Sequence, residues 1–190
     1  MLKFTYILPL LPLALSGCIA PLAVGGIGAV GLSAVEERGL SGVASDHALR
    51  MRLNIELGDE IPAFSGIELT VYKGQVLFTG VAASEKVKAE ILRVAKNVSG
   101  VKKIIDGMNV HGNDGVSEYT RDSWITTKLK TTLYTDEDVS APNYVITTFD
   151  KIIYIFGTAQ TKEEMKIVLT HAYDITGVRK VVNLIAVKRQ

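Results

Sequence analysis

The pattern of apolar and polar positions occurs twice along the chain. A shift of 77 residues places Gly80 on Gly157 and Gly100 on Gly177, and it aligns most apolar positions between these glycines. Further upstream the match resumes at a shift of 76, so the intervening loop differs in length by a single residue. The positions aligned there at helical spacing are Leu49, Leu53 and Leu57 with Ile125, Leu129 and Leu133. The chain is therefore a tandem duplication.

Each repeat predicts five elements in the order αββαβ. Apolar residues at i, i+4 and i+8 predict the first helix, which Asp122 or Ser123 caps in the second repeat. Runs of β-branched and aromatic residues predict strands, with hairpin turns at Lys73-Gly74 and Asp150-Lys151. The predicted helices are residues 46–57, 84–98, 122–134 and 161–175, and the predicted strands are residues 67–72, 75–79, 101–110, 144–149, 152–156 and 178–187.

This order of elements predicts an α+β fold with one domain per repeat. A strand, a crossover helix and a strand form a parallel pair, whereas a hairpin is antiparallel. Each three-stranded sheet is therefore mixed, and two helices cover one of its faces. We predict domains at residues 46–111 and 121–190, joined by a linker at residues 112–120 that is rich in Gly, Asn, Asp and Ser.

The amino terminus predicts an export signal over residues 1–17. Lys3 precedes an apolar stretch at residues 4–15, which is too short to span a bilayer as a helix. The next residues, Leu15-Ser16-Gly17-Cys18, resemble the lipobox of bacterial lipoproteins. That resemblance implies cleavage before Cys18, a diacylglycerol on its thiol and an acyl chain on its amino group, which hold a protein on a membrane. A buried free cysteine is the alternative.

The residues after Cys18 indicate where the protein lies and how it is attached. Ile19 favours sorting to the outer membrane, on its periplasmic face, because inner-membrane lipoproteins of enterobacteria typically carry Asp at that position. Residues 18–45 are mostly Gly, Ala, Val and Ser, and we interpret them as a lipidated tether. They contain Gly26-x-Gly28-x-x-Gly31, but a dinucleotide site needs a preceding strand, whereas a cleaved signal precedes this motif.

Composition excludes several kinds of chemistry. The formal net charge is +1, and it becomes 0 once Lys3 is removed with the signal, so no nucleic-acid-binding surface is expected. Cys18 is the only cysteine, and no histidine has another His or a Cys at ligand spacing; the three are His47, His111 and His171. The acidic run at residues 136–138 predicts a solvated loop, with weak calcium binding as the alternative. We predict no catalytic site, metal, cofactor or small-molecule substrate.

Two stretches carry a resemblance to a known family. The repeats open their last strand with a Gly-Val-x-x-Val/Ile signature, at Gly100 and at Gly177. The stretch that most closely resembles the family is residues 122–128, at the start of the second repeat. Paired αββαβ units with these features resemble BON domains over essentially the whole chain. The resemblance implies a non-enzymatic outer-membrane lipoprotein that supports envelope integrity. It also implies that the second domain binds anionic phospholipid and helps to localise the protein to division sites.

The first helix of the second repeat carries a candidate phospholipid-binding surface beside its core positions. The surface is a row of side chains with an aromatic ring at each end and a lysine between them. Such rings lie favourably among the headgroups of a membrane, and the lysine can pair with lipid phosphate. The row consists of Trp124, Thr127, Lys128, Thr131 and Tyr134. The first repeat has no aromatic residue at the corresponding positions. In the alternative interpretation, Trp124 packs against the other domain or the hairpin, and Lys128 and Lys130 belong to a solvated face.

Three functional hypotheses follow. In the first, Cys18 anchors the chain and the second domain binds an anionic membrane. In the second, the protein is an adaptor, and the paired sheets or the pair Met51 and Ile55 dock an envelope assembly or quality-control partner. A third and weaker hypothesis is a sugar- or ligand-binding accessory to an enzyme.

Overall fold

The computed structural model describes residues 39–110 and 116–189, with side chains of the second range from residue 119 onward. The first repeat consists of helix α1 (Gly39–Glu60), a 3₁₀ turn (Pro62–Gly66), strands β1 (Ile67–Tyr72) and β2 (Gln75–Val81), helix α2 (Glu85–Asn97) and strand β3 (Lys103–Asn109). The second consists of helix α3 (Val116–Thr135), a 3₁₀ turn (Ala141–Asn143), strands β4 (Tyr144–Phe149) and β5 (Ile152–Ala159), helix α4 (Lys162–Tyr173) and strand β6 (Lys180–Val187).

Both sheets are mixed, as the order of elements predicts. The strand orders are β1-β2-β3 and β4-β5-β6, with an antiparallel hairpin and a parallel crossover pair in each. Gly80 pairs with Ile67 at φ +118°, and a side chain there would collide with the carbonyl oxygen of Gly66. The aligned Gly157 pairs with Tyr144, whose ring occupies the space of a Cβ atom. Gly80 and Gly157 therefore allow close contact at the start of each hairpin.

The predicted start of the first helix in each repeat is wrong. Helix α1 begins at Gly39, within the predicted tether, and α3 begins at Val116, within the predicted linker. The physical reason is that Asp46 and Asp122 do not cap these helices. Their buried carboxylates accept hydrogen bonds from the hairpin turns instead, Asp46 from the backbone N–H groups of Lys73 and Gly74 and Asp122 from those of Asp150 and Lys151, at 2.7–3.0 Å. Each helix therefore continues through its aspartate.

The helices and sheets form four layers. Alternate residues of a strand point to opposite faces of its sheet. One face of each sheet forms a core with its own helices, around Leu53 and Phe78 in the first repeat and around Leu129 and Ile155 in the second. The two remaining faces pack against each other in a third cluster whose buried members are Tyr72, Leu77, Tyr154 and Phe156. The order of layers is therefore α1 and α2, first sheet, second sheet, α3 and α4.

Polar contacts flank the packing between the two sheets. The Lys73 ammonium donates a 2.8 Å hydrogen bond to the Thr158 hydroxyl, which also lies 3.1 Å from the hydroxyl of Tyr72. The Asn109 side-chain amide donates to the Asp150 carboxylate at 3.0 Å. Because all three contacts join one repeat to the other, they fix how the two sheets are placed against each other.

Candidate functional site

Helix α3 is held on the second sheet by one side only. Ile125, Leu129 and Leu133 are at most 1% exposed and form its buried side. The Thr126 hydroxyl donates a 2.7 Å hydrogen bond to the Thr148 hydroxyl, which ties the helix to the end of β4. Because α3 belongs to an outer layer, the side opposite these contacts faces away from the molecule.

The structure places all five predicted site residues on this outward side. Trp124 is 52% exposed and Tyr134 is 61% exposed, and the three residues between them, Thr127, Lys128 and Thr131, are exposed as well. Trp124 lies in the outer layer, away from the cluster that joins the two sheets. We call this surface, formed by Trp124, Thr127, Lys128, Thr131 and Tyr134, the α3 face.

The exposed charges among the described side chains of α3 are of one sign. Among the α3 side chains that the structure describes, the exposed charged groups are Arg121, Lys128 and Lys130. The carboxylate of Asp122, on the same helix, is buried and accepts hydrogen bonds from the hairpin turn. A helix with half-exposed rings and basic side chains can bind an anionic, partly apolar surface, because the rings enter the headgroup region and the cations pair with phosphate.

Sequence reasoning missed one exposed aromatic residue of the same helix. Tyr119 is 73% exposed and lies in the first turns of α3. It fell inside the predicted linker because the helix was expected to start at residue 122. The Ser, Glu and Tyr residues that precede Thr120 are compatible with a helix, so composition alone gave a weak signal.

The corresponding surface of the first repeat is aliphatic. Leu40, Met51 and Ile55 are 50–65% exposed on the side of α1 opposite its core contacts. Arg52 lies beside them, and its guanidinium donates a 3.2 Å hydrogen bond to the Ser99 carbonyl oxygen. Because α1 and α3 belong to the two outer layers, this surface and the α3 face point in opposite directions.

The described residues do not assemble a metal site or a membrane-spanning helix. No group of three or more His, Cys, Asp or Glu side chains that could hold a metal occurs among them. His171 lies 2.6 Å from the Asp136 carboxylate, which also accepts a 2.9 Å hydrogen bond from the Asp138 backbone. Within the same ranges, no helix has the length and apolar character needed to cross a bilayer. Cys18, His111 and the glycine motif at residues 26–31 lie outside the described residues.

Two mixed sheets, each covered by two helices in an αββαβ order, define the class of protein. The sequence model of the BON domain matches residues 45–112 and 121–189. The chain belongs to the BON-domain family and carries two BON domains.

Several known proteins are similar to this chain along most of its length. Outer membrane lipoprotein DolP of Haemophilus influenzae is 26% identical over 172 residues, which are 90% of this chain and 88% of that protein. A 21 kDa hemolysin of Actinobacillus pleuropneumoniae is 25% identical over 156 residues, 80% of this chain and 78% of that protein. An uncharacterized protein of Anaplasma centrale is 28% identical over 144 residues, 75% of this chain and 95% of that protein.

Proposed function

We propose that this protein is a non-enzymatic outer-membrane lipoprotein that binds anionic phospholipid through its second BON domain. Cys18 carries the lipid, the protein lies on the periplasmic face, and the α3 face contacts the bilayer. The similarity to a protein named outer membrane lipoprotein DolP, together with the lipobox, supports the location. Support of envelope integrity and recruitment to division sites are the cellular roles that the family resemblance implies.

The observation that carries the lipid-binding proposal is the exposure of Trp124. An indole that is 52% exposed on an outer helix leaves apolar surface in contact with water. Burying such a side chain at a membrane is worth about 1.5 kcal/mol or more, and anionic lipid adds about 1 kcal/mol for each nearby Lys or Arg. The α3 face combines both contributions, whereas the corresponding face of α1 lacks the aromatic residues.

Co-sedimentation with vesicles tests this proposal. We expect Trp124→Ala to weaken binding to phosphatidylglycerol vesicles by about tenfold, which corresponds to roughly 1.4 kcal/mol. Met51→Ala is the matched control, because it removes an exposed apolar side chain from the opposite outer layer. Equal binding by the folded Trp124→Ala variant and the unsubstituted protein would contradict the proposal.

The membrane anchor has its own test. Mass spectrometry of the cellular protein should show a chain that begins at Cys18 and carries acyl groups, and Cys18→Ser should abolish the modification. An unmodified thiol with an intact leader would contradict the proposed attachment while leaving the α3 face open to test.

A protein adaptor is the second candidate function, and the exposure of Met51 and Ile55 favours it. These side chains are 65% and 60% exposed on α1 and could dock a partner while α3 lies on a bilayer. Crosslinking in cells distinguishes the candidates. An adaptor should give one dominant protein adduct that Met51→Asp removes, even in cells depleted of anionic lipid.

A further inference from the structure

Strands β3 and β6 each form one outer edge of their sheet. Among the described strands, β3 pairs with β2 alone and β6 pairs with β5 alone. Successive residues of a strand present their backbone N–H and C=O groups to opposite edges. A row of free groups along an outer edge can pair with a strand of another molecule, so open edges promote association between copies. The side chains beside these two edges therefore decide whether a further strand can add.

Met108 and Ile185 occupy equivalent positions on the two outer edges, 77 residues apart. The Asn109 carbonyl oxygen accepts a hydrogen bond from the residue after β2, so the backbone groups of its neighbour Met108 face outward. The Lys188 N–H donates to the last residue of β5, so those of Ile185, three residues earlier, face outward as well. A further strand would need these outward groups.

In both repeats a side chain already bonds to the outward N–H group. The Met108 N–H donates a 3.0 Å hydrogen bond to the Asp106 carboxylate. The Ile185 N–H donates a 2.9 Å hydrogen bond to the side-chain carbonyl oxygen of Asn183. Asp106 and Asn183 are themselves equivalent positions, so a carboxylate and an amide make the same contact. Such a local bond competes with strand pairing, because it uses the donor that a further strand would need.

The first repeat closes its edge more completely than the second. The Lys88 ammonium donates a 2.8 Å hydrogen bond to the Met108 carbonyl oxygen and lies 2.9 Å from the Asp106 carboxylate. Both outward backbone groups of Met108 are therefore bonded to side chains. The residue aligned with Lys88 is Met165, whose thioether has no hydrogen to donate to the Ile185 carbonyl oxygen. Strand β6 therefore has the weaker closure.

We propose that Asp106, together with Lys88, and Asn183 close the outer edges of β3 and β6 to a strand from a second copy of this chain. Without the Asn183 contact, two β6 strands could pair antiparallel about a two-fold axis and form a closed dimer. Neither edge includes residues of the α3 face. The closure is therefore separate from lipid binding, and its test does not depend on a membrane.

Removing the side-chain acceptor from β6 tests the closure. The protein is a chain of residues 19–190, which includes every residue that the structure describes and lacks Cys18. Asn183→Leu keeps the size of the side chain but has no acceptor. In analytical ultracentrifugation we expect it to dimerise with a dissociation constant at least about tenfold below that of the unsubstituted chain.

Two further variants separate the hydrogen bond from a gain in apolar surface. Asn183→Asp retains an acceptor, as Asp106 does in the first repeat, and should associate no more than the unsubstituted chain. Ala186→Leu is the matched control, because it adds apolar surface to an exposed position of β6 and keeps the contact between Asn183 and Ile185. Equal association by Ala186→Leu and Asn183→Leu would overturn the proposal.

Amide hydrogen exchange shows where the copies meet. In dilute Asn183→Leu the Ile185 N–H should exchange at least about tenfold faster than in the unsubstituted chain, because it has lost its acceptor. Association at higher concentration should slow this exchange again. A dimer that leaves the Ile185 N–H unprotected would contradict pairing through β6.

Asn183→Leu could disturb folding, so circular dichroism and a second variant accompany it. Asp106→Leu combined with Lys88→Met removes both side-chain contacts from the β3 edge and should also associate. A monomer in either folded variant, at concentrations where the closure is expected to matter most, would overturn the proposal. Vesicle binding by Trp124→Ala tests the proposed function separately, because that residue lies on the α3 face.

Discussion

The hydroxyl groups of Thr70 and Thr147 lie 3.0 Å apart across the interface between the two sheets, and the two residues occupy equivalent positions in the repeats, 77 residues apart. A contact between equivalent positions is what a two-fold axis produces at its centre. The two BON domains are therefore related by an approximate two-fold axis that passes between these threonines. This symmetry places the helices of the domains on opposite outer sides, so a flat bilayer can contact the outward face of α1 or α3 but not both.

The buried Asp122 should make a large contribution to the stability of the second domain. Its carboxylate accepts two backbone hydrogen bonds, from Asp150 at 2.7 Å and Lys151 at 2.9 Å. Both donors lie in a turn with positive φ (49° and 60°), without a glycine. We expect Asp122→Ala to lower the free energy of unfolding by about 2–4 kcal/mol, measured in urea, because two charge-assisted hydrogen bonds are lost. Ser123→Ala, the exposed neighbour, should change it by less than about 0.5 kcal/mol.

Gly107 should be required for the packing of the two sheets. A Cβ atom at this position would lie 2.6 Å from the Tyr154 hydroxyl oxygen. We expect Gly107→Ala to force the sheets apart, to cost about 1–3 kcal/mol and to enlarge the radius of gyration in X-ray scattering. The first repeat has Leu77 at the position that aligns with Tyr154. Adding Tyr154→Leu to Gly107→Ala should therefore restore part of the lost stability.

The ionisation of Tyr154 offers a second measurement of the same interface. Burial, and after it the nearby Asp106 carboxylate, raise the pKa of this phenol above its usual value of 10.0. Because opening the interface exposes the ring to water, Gly107→Ala should bring its pKa back towards 10.0 in a spectroscopic titration. A phenol that titrates identically in both proteins would contradict the role assigned to Gly107.

A contact between helix α4 and the loop that follows α3 predicts how stability depends on pH. The hydrogen bond from His171 lowers the pKa of Asp136 below its usual value of 3.8. A carboxylate with a lowered pKa in the folded state stabilises the fold above its unfolded pKa, and this contribution is lost as pH falls through the folded pKa. The melting temperature should therefore fall more steeply below about pH 4 in the unsubstituted protein than in Asp136→Asn. If the melting temperatures of the two proteins fell in parallel with pH, the His171–Asp136 pair would contribute nothing to stability.

Gly58 should be a site where stability can be gained. It lies in the last turns of α1, in a backbone conformation open to L residues, and an added Cβ atom would meet nothing within 4 Å. We expect Gly58→Ala to raise the free energy of unfolding by about 0.5–1 kcal/mol, because alanine loses less conformational freedom in a helix. A lower free energy of unfolding for the variant, measured by urea denaturation, would mean that α1 needs the glycine.

The repeat pattern was sufficient to predict the elements and the sheet topology, because glycine positions and apolar spacing reflect local geometry. It placed the starts of α1 and α3 wrongly, because an aspartate before an apolar run is typical of a helix cap. Nothing local shows that Asp46 and Asp122 bond to turns 27–29 residues away.

The packing of the two sheets left a signal in the sequence that element prediction did not use. Residues 152–156 are apolar at both odd and even positions, which is typical of a strand covered on both faces. That pattern predicts a second layer against β5 but not which layer.

The fluorescence of Trp124 tests the central claim most directly, because this residue is the only tryptophan of the chain and is half exposed. Emission should shift to shorter wavelength on titration with phosphatidylglycerol vesicles, and lipids brominated near the headgroup should quench it. Phosphatidylcholine vesicles should produce little change, and salt should reverse the shift. Emission that stays the same with anionic vesicles, while the protein sediments with them, would show that the α3 face is not the surface that meets the membrane.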